Sequence, residues 1–244
     1  MLVTGGARGI GAATARLAAE QGYTVCVNFL QNRSAADLVV SEISRAGGKA
    51  FAVGANIADE AEVLRLFETV DREFGRLDVL VNNAGVLARA SRLQDMDLAR
   101  IQKLYATNVF GAMLCAREAV KRMSTRNGGK GGAIVNVSTG FVKSGAPGMF
   151  LDYASSKGAI EVFTGGLARE LAAEGVRVNA VRPGMIDTEI HAAGGDPQRM
   201  SKAKDIVPMK RPGEAEEVAR AILWLASDAA SYTTGAVLDV SGGI

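Results

Sequence analysis

Histidine and cysteine, the residues behind many metal sites and disulfides, are scarce in this sequence. One histidine, His191, and two cysteines, Cys26 and Cys115, occur among 244 residues. The cysteines fall in a predicted strand and a predicted helix, so a disulfide framework is excluded and we expect buried free thiols in a reducing compartment. One histidine and two distant cysteines are too few ligands for a zinc site. A Ser-His-Asp hydrolase is also disfavoured, because the sequence lacks the G-x-S-x-G motif.

Long apolar runs and an excess of charge of one sign are absent too. No apolar run approaches the ~20 residues that span a bilayer, and Met1 leads into a predicted strand without a basic flank or a signal core. The 28 basic and 26 acidic residues nearly balance, and they form no block of like charge. This balance argues against a nucleic-acid or membrane partner. We therefore expect a cytoplasmic protein that acts on a small molecule.

Short β-branched runs alternate with helical patterns, and hydrophobic residues make up 48% of the chain. Strands are predicted near residues 2–4, 24–29, 50–56, 79–82, 133–138, 177–181 and 237–240. Helices are predicted at residues 10–21, 33–46, 60–74, 98–126, 154–174 and 214–227. This order predicts an α/β fold, a doubly wound seven-stranded parallel sheet of the Rossmann type, in a single domain of residues 1–244.

A glycine-rich turn joins the first predicted strand to the first predicted helix. Gly5, Gly9 and Gly11 punctuate it, and Arg8 and Ile10 lie between them. Missing side chains let a backbone approach a pyrophosphate, and a helix N-terminus offers free N–H groups and partial positive charge. The spacing differs from the common G-x-G-x-x-G, but the strand-turn-helix setting favours dinucleotide binding over a purely structural turn.

The choice of cofactor is indicated where the second predicted strand ends. An acidic residue there would hold the ribose hydroxyls of NAD. The sequence has Asn28 and then Arg33, with no carboxylate between them, while Arg8 lies inside the glycine turn. These residues would accept a 2′-phosphate, so the sequence favours NADP over NAD. An exposed Arg33 without any ligand is the open alternative.

Tyr153 and Lys157 stand four residues apart in a predicted helix, and such residues share a face. A free phenol loses its proton near pH ~10. A neighbouring ammonium group is one of the few ways to lower that pKa, so Tyr153 is a candidate acid/base. Such a pair also occurs by chance in amphipathic helices, where the ring packs and the amine reaches water. Other motifs in the same chain favour the catalytic interpretation.

These motifs together resemble those of the short-chain dehydrogenase/reductase family over essentially the whole chain. The single-domain ketoacyl-reductase and glucose-dehydrogenase types are the most similar. The matching segments are the turn from Thr4 to Gly11, Asn82-Asn83-Ala84-Gly85, Asn108, Ser138-Thr139, Tyr153 with Lys157, and Pro183-Gly184.

The resemblance implies a role for each catalytic residue. Tyr153 exchanges a proton with the substrate oxygen, and Lys157 lowers the pKa of the phenol and holds the nicotinamide ribose. The family's catalytic hydroxyl corresponds to Thr139, with Ser138 beside it, although the family usually has serine in this position. Alternation along a strand would send the two side chains to opposite faces, which favours Thr139. Asn108 is implied to position a water that connects Lys157 to solvent.

The resemblance also implies further cofactor contacts. Asn56 and Ile57 lie where the family contacts the adenine, although the family commonly has aspartate in place of Asn56. The remaining implied cofactor contacts, along the motif after the fourth strand and around the nicotinamide, are Asn82, Ala84, Gly85, Pro183, Gly184, Ile186 and Thr188.

The implied function is an NADP(H)-dependent oxidoreductase that interconverts a carbonyl and a secondary alcohol. One alternative is a catalytically inactive dinucleotide-sensing or scaffold protein of the same fold. Another is an epimerase or dehydratase, but those relatives usually carry an added substrate domain. Residues 187–211 are long for a loop and weakly periodic, so we expect a substrate loop there, with His191 in it. A homotetramer, built partly from helices 98–126 and 154–174, is implied by the resemblance.

Overall fold

The computed structural model describes residues 1–190, 194 and 199–244. Its centre is one parallel sheet of seven strands in the order β3-β2-β1-β4-β5-β6-β7. The strands are β1 (Leu2–Val3), β2 (Thr24–Phe29), β3 (Lys49–Gly54), β4 (Val79–Asn82), β5 (Gly132–Val137), β6 (Val176–Pro183) and β7 (Val237–Val240). The predicted doubly wound, seven-stranded parallel sheet is confirmed. Strand order reverses between β1 and β4, which is where such sheets bind ligands.

Helices connect the strands and cover both faces of the sheet. They are α1 (Gly9–Glu20), α2 (Arg33–Arg45), α3 (Glu60–Phe74), α4 (Leu98–Tyr105), α5 (Ala112–Met123), α6 (Phe141–Ser144), α7 (Leu151–Leu171), α8 (Ala203–Ile206) and α9 (Ala215–Ala226). Local capping fixes several starts: Asn32, Asp59 and Asp97 each accept a backbone N–H three residues ahead. Gly75 ends α3 in the left-handed conformation.

The predicted single helix at residues 98–126 is wrong in its middle and at its end. Between α4 and α5 the chain forms a π-helical turn, Ala106–Gly111, and α5 ends at Met123. Tertiary contacts account for the widened turn. Gly111 packs so closely on Ile57 that a Cβ would lie 2.8 Å from the Ile57 carbonyl oxygen, and Asn108 bonds to the backbone of Val86. Such π-helical turns occur frequently at functional sites.

Alternation along the strands divides the core into two layers. Val3, Val25 and Val27 point towards α1, α2 and α9. Their neighbours Leu2 and Cys26 point towards α3, α5 and α7. All five are 0% exposed, as expected for parallel strands covered on both faces.

Both cysteines lie in the second of these layers. Cys26 and Cys115 are buried free thiols, as predicted. Burial raises the pKa of each thiol to about 12, so neither is a reactive nucleophile. Across the part of the chain that the structure describes, no helix combines the length and apolar character needed to cross a membrane.

Candidate active site

The glycine turn after β1 is packed against the residues that follow β4. Gly5 has φ +61°, and a Cβ there would lie 2.9 Å from Ala84 Cα. Thr4 Oγ1 accepts the N–H groups of Asn83 and Ala84, each at 3.1 Å. Asn83 Nδ2 donates to the carbonyl oxygens of Thr4 and Gly5. Glycine at position 5 is therefore a steric requirement, and the two ligand-facing turns are held together.

Thr4 and Asn83 hold this turn, and sequence reasoning gave neither of them a role. A signal was present, because both lie within motifs whose other members were identified. Asn82 faces the interior instead: its Nδ2 donates to Ala112 O and Asn136 Oδ1, and the residue is 4% exposed. Its Oδ1 is buried without a hydrogen-bond partner among the described residues, and the contact of Asn82 with a cofactor stays a prediction.

The N-terminus of α1 can accept a pyrophosphate. Arg8 is its N-cap in extended conformation, without a capping side-chain bond, and the first helical turn has no acidic residue. The helix itself therefore supplies no carboxylate that would neutralise its partial positive charge. A carboxylate from the segment after β6 does approach it, because Glu189 Oε2 would lie 3.7 Å from a Cβ on Gly9. Gly9 has φ +51°, and a Cβ there would lie 3.3 Å from Thr188 Cγ2. Ile10 packs on the core. Thr188, predicted near the nicotinamide, thus contacts the glycine turn.

Asn28, at the end of β2, is engaged within the protein. Its Nδ2 donates to Val53 O and Ala55 O, at 3.2 and 3.0 Å, and its Oδ1 accepts the Gly5 N–H at 3.4 Å. With 2% exposure, Asn28 positions the glycine turn rather than presenting a free amide to a ligand.

The predicted adenine and phosphate contacts lie around this strand end. Asn56 Oδ1 accepts the Ala58 N–H at 3.1 Å, and Ile57 is a core residue. Arg8 and Arg33 are exposed. Arg33 Nε lies 3.3 Å from Asp37 Oδ2 in a pair that is 74% and 53% exposed. An ion pair this exposed is weak, so Arg33 remains available to an anion.

The candidate catalytic residues converge where β5 meets the start of α7. Tyr153 is buried, and its phenol lies close enough to the Thr139 hydroxyl for that group to lower the pKa of the phenol. Lys157, one turn further along α7, is also buried, and its Nζ donates to Val137 O at 2.7 Å. A Cβ on Gly85 would lie 3.4 Å from both Lys157 Nζ and Asn108 Oδ1. Gly85 thus leaves open the space that these two side chains face.

The prediction that Lys157 lowers the pKa of Tyr153 is wrong for this structure. Burial raises the pKa of Tyr153 to about 12, and the opposing contribution comes from the Thr139 hydrogen bond. Burial likewise lowers the pKa of Lys157 to about 8. Desolvation disfavours the charged form of both groups. At neutral pH the phenol is therefore protonated and has a proton that it can donate.

Ser138 and Thr139 have different partners, but not for the predicted reason. β5 ends at Val137, before both residues, so strand alternation does not govern them. Both hydroxyls face α7 at different heights: Thr139 lies beside the Tyr153 phenol, and Ser138 Oγ donates to Glu161 Oε1 at 2.6 Å. Glu161 also holds Arg182 through two hydrogen bonds.

Asn108 is fixed inside the π-helical turn. Its Oδ1 accepts the Val86 N–H at 2.8 Å, and its Nδ2 donates to Val86 O and Ser156 Oγ. The residue is 1% exposed. It links the loop after β4 to the helix that carries Tyr153 and Lys157.

The predicted nicotinamide end follows β6. Pro183 O accepts the Gly140 N–H at 2.8 Å, which ties this strand to the residue after Thr139. A Cβ on Gly184 would lie 2.7 Å from Ser241 Cα. Ile186 is 4% exposed and forms a parallel bridge with Gly213. The predicted substrate loop, 187–211, is described in part, and His191 lies outside the described residues.

The chain is similar over nearly its whole length to known oxidoreductases. A family model described as enoyl-(acyl carrier protein) reductase matches residues 5–244. A protein named uncharacterized oxidoreductase YgfF from Escherichia coli is 54% identical over 242 residues, covering 99% of this chain and 98% of that protein.

Two solved structures superpose over nearly the whole chain. A short chain dehydrogenase from Burkholderia cenocepacia in complex with NADP has a TM-score of 0.91 and 32% identity, covering 99% of this chain and 96% of that one. A 3-ketoacyl-(acyl-carrier-protein) reductase from Brucella melitensis complexed with NADH has a TM-score of 0.91 and 31% identity, with the same coverage.

Fold and site together define a dinucleotide-binding α/β oxidoreductase. The chain belongs to the short-chain dehydrogenase/reductase family, and the predicted resemblance is confirmed.

Proposed function

We propose that this protein is an NADP(H)-dependent oxidoreductase that interconverts a carbonyl and a secondary alcohol, with Tyr153 as the acid/base. The observation that carries this proposal is the buried Tyr153 phenol beside the Thr139 hydroxyl, with buried Lys157 one helical turn away. A phenol in this setting is suited to meet a substrate oxygen. A protein that only senses or binds a dinucleotide has no need of it.

In the reductive direction, the residues act on the carbonyl oxygen. When bound, the reduced nicotinamide supplies the hydride to the carbonyl carbon. Tyr153 transfers its proton to the oxygen, which leaves an alcohol and a phenolate. Thr139 donates a hydrogen bond to the same oxygen and stabilises the negative charge that develops there. The raised pKa of Tyr153 keeps its proton in place until that charge appears.

We assign to Lys157 and Asn108 the return of a proton to the Tyr153 phenolate after the reaction. Lys157 has a pKa of about 8, so it exchanges protons near neutral pH. Lys157 Nζ and Asn108 Oδ1 both face the space at Gly85. We assign to Asn108 the positioning of a water there, which reconnects Lys157 with solvent. By family likeness, Lys157 also holds the nicotinamide ribose.

The preference for NADP rests on charge at the end of β2. Arg33 is exposed there, Arg8 is exposed in the glycine turn after β1, and the residues between Asn28 and Arg33 include no carboxylate. A 2′-phosphate would therefore meet two cations. The related structures carry NADP in one case and NADH in another, so both cofactors suit the fold. We further propose a cytoplasmic homotetramer.

The decisive experiment measures NADPH oxidation against a panel of ketones, quinones, sugars and β-ketoacyl esters. Tyr153→Phe should keep NADPH binding and lose turnover, because its ring retains the packing but has no proton to transfer. Tyr232→Phe is the matched control, since Tyr232 is fully exposed. Turnover retained by Tyr153→Phe would remove Tyr153 from its role. NADPH binding with no turnover by the wild type would favour the alternative, a catalytically inactive dinucleotide-sensing or scaffold protein.

A further inference from the structure

Three polar contacts join α4 and the π-helical turn to the first turns of α7. Arg100 Nε donates to Asp152 Oδ2 at 2.8 Å, Tyr105 Oη to Ser155 Oγ at 3.0 Å, and Asn108 Nδ2 to Ser156 Oγ at 3.2 Å. The residues contacted on α7 flank Tyr153 on both sides. These three contacts from α4 and the π-helical turn therefore fix the position and rotation of the helical turn that carries Tyr153.

The Arg100–Asp152 contact is the most buried of the ion pairs in the described part of the chain. The Arg100 side chain is 17% exposed and the Asp152 side chain 2%. The guanidinium is forked, with Nη2 also donating to Asp152 Oδ1 at 3.3 Å. Asp152 Oδ1 additionally accepts the N–H of Tyr153 at 2.9 Å. The Asp152 carboxylate thus accepts hydrogen bonds both from the Arg100 guanidinium and from the backbone N–H of Tyr153, the candidate acid/base.

Arg100 also contacts the loop after β4. Its Nη1 donates to Arg89 O at 2.7 Å. Two residues further on, the Ser91 N–H donates to Met149 O at 2.9 Å, just before α7 begins. Arg100 and the Ser91–Met149 bond therefore join the loop after β4 to the start of α7, in addition to the link through Asn108. Arg100 is the side chain of α4 that contacts both the loop and the helix.

We propose that Arg100, acting through Asp152, is a positioning residue that sets the Tyr153 phenol relative to the wall of the substrate cleft formed by the loop after β4. This inference rests on the proposed function, because only a proton transfer from Tyr153 demands such placement. A misplacement of ~1 Å in a reacting group can cost about 100-fold in rate. Arg100 touches neither the reacting atoms nor the glycine turn, so its effect should fall on turnover and leave cofactor affinity unchanged.

Positioning can be separated from simple stabilisation with two substitutions. Arg100→Met leaves the Asp152 carboxylate buried without its cation, which should lower both thermal stability and turnover. Adding Asp152→Asn removes that charge but keeps an oxygen for the Tyr153 N–H. The double variant should recover thermal stability and still lack the link to Arg89 O. We expect kcat to stay about 10- to 100-fold low in both variants, with NADPH affinity as in the wild type.

Arg122→Met is the matched control. Arg122 joins α5 to α3 by binding Asp71 at 2.7 Å, and its side chain is 20% exposed, close to the value for Arg100. It lies far from the cleft along α5, so we expect Arg122→Met to lower stability without changing kcat. Recovery of kcat together with stability in the double variant would overturn the proposal, as would equal kcat values for Arg100→Met and Arg122→Met.

A spectroscopic readout makes the test independent of turnover. The chain has four tyrosines, so 3-fluorotyrosine labelling gives few fluorine NMR signals, and Tyr153→Phe assigns the one of interest. That signal should shift in Arg100→Met and in the double variant but not in Arg122→Met. An unshifted signal would overturn the positioning role. Failure of the wild type to turn over any substrate, with the signal shifted, would instead defeat the proposed function.

Discussion

The catalytic hydroxyl is a choice between two adjacent residues with different partners. Thr139 lies beside the Tyr153 phenol, whereas Ser138 donates a hydrogen bond to Glu161. We expect Thr139→Ala to lower kcat/KM by ~10²-fold, as loss of a donor to a developing oxyanion does. Ser138→Ala should instead cost about 1 kcal/mol of stability, the net value of one hydrogen bond, and leave turnover nearly intact. Steady-state kinetics and thermal unfolding of both variants show which residue supplies the catalytic hydroxyl. A loss of turnover in Ser138→Ala, with turnover retained in Thr139→Ala, would assign that role to Ser138.

Lys157 should make stability depend on pH in the alkaline range. Burial lowers its pKa from 10.5 to about 8. Between these values the unfolded chain binds the proton and the folded protein does not, so stability rises with pH across the window. Between pH ~8 and ~10.5, the free energy of unfolding of the wild type should increase by on the order of 3 kcal/mol relative to that of Lys157→Met. Each unit of difference between the folded and unfolded pKa corresponds to 1.36 kcal/mol.

Urea unfolding of the wild type and Lys157→Met at several pH values measures this gain. Lys143→Met is the control, because the Lys143 side chain is 44% exposed and its ammonium remains hydrated. A difference between the wild type and Lys157→Met that stays constant with pH would contradict the lowered pKa of Lys157.

Among the secondary-structure elements, α2 is expected to decide the cofactor. Its first residue, Arg33, is exposed beside the end of β2. The wild type should bind NADPH more tightly than NADH. Arg33→Ala should reduce that preference about 10-fold, which corresponds to 1.4 kcal/mol, because one cation facing the 2′-phosphate is lost. Fluorescence titration with each cofactor measures this preference. The control is Arg45→Ala at the far end of α2, which should leave the preference unchanged. Tighter binding of NADH by the wild type would refute the phosphate argument.

Some elements could be predicted to the residue and others could not. Strands Thr24–Phe29 and Val79–Asn82 and helix Glu60–Phe74 were predicted with their observed ends, because turn residues and local caps such as Asp59 and Gly75 mark them. The π-helical turn was missed because Ile57 and Val86, distant in sequence, shape it. For the same reason, no local pattern announces the Arg100–Asp152 bridge.

The candidate site shows the same division between local and distant causes. The Tyr153 and Lys157 spacing placed both residues correctly on one helix. The sign of the pKa shift of Tyr153 was wrong, because it depends on burial by the whole fold and not on the neighbour one turn away. Asn28 and Asn82 were identified as polar residues at strand ends, but their hydrogen-bond partners come from distant segments.

At the scale of the whole molecule, the expected assembly is a tetramer of a 25.4 kDa chain. Three large apolar side chains on the helices predicted to form it are exposed: Val162 on α7 is 79% exposed, Leu98 on α4 68% and Phe110 in the π-helical turn 56%. Burial between copies would remove this apolar surface from water. Light scattering coupled to gel filtration should give four times the chain mass, and Val162→Asp should lower it. An unchanged mass in that variant, or a monomeric wild type, would contradict the expectation.

The π-helical turn also constrains the number of residues between α4 and α5. A residue added to or removed from an α-helix rotates everything beyond it by about 100°. Deleting one residue between the Asp97 cap and Gly111 would therefore turn either Asn108 away from Gly85 or the whole of α5 away from α3. The number of residues between α4 and α5 is therefore constrained as well as their identity, because that number sets the rotation of α5 relative to Asn108.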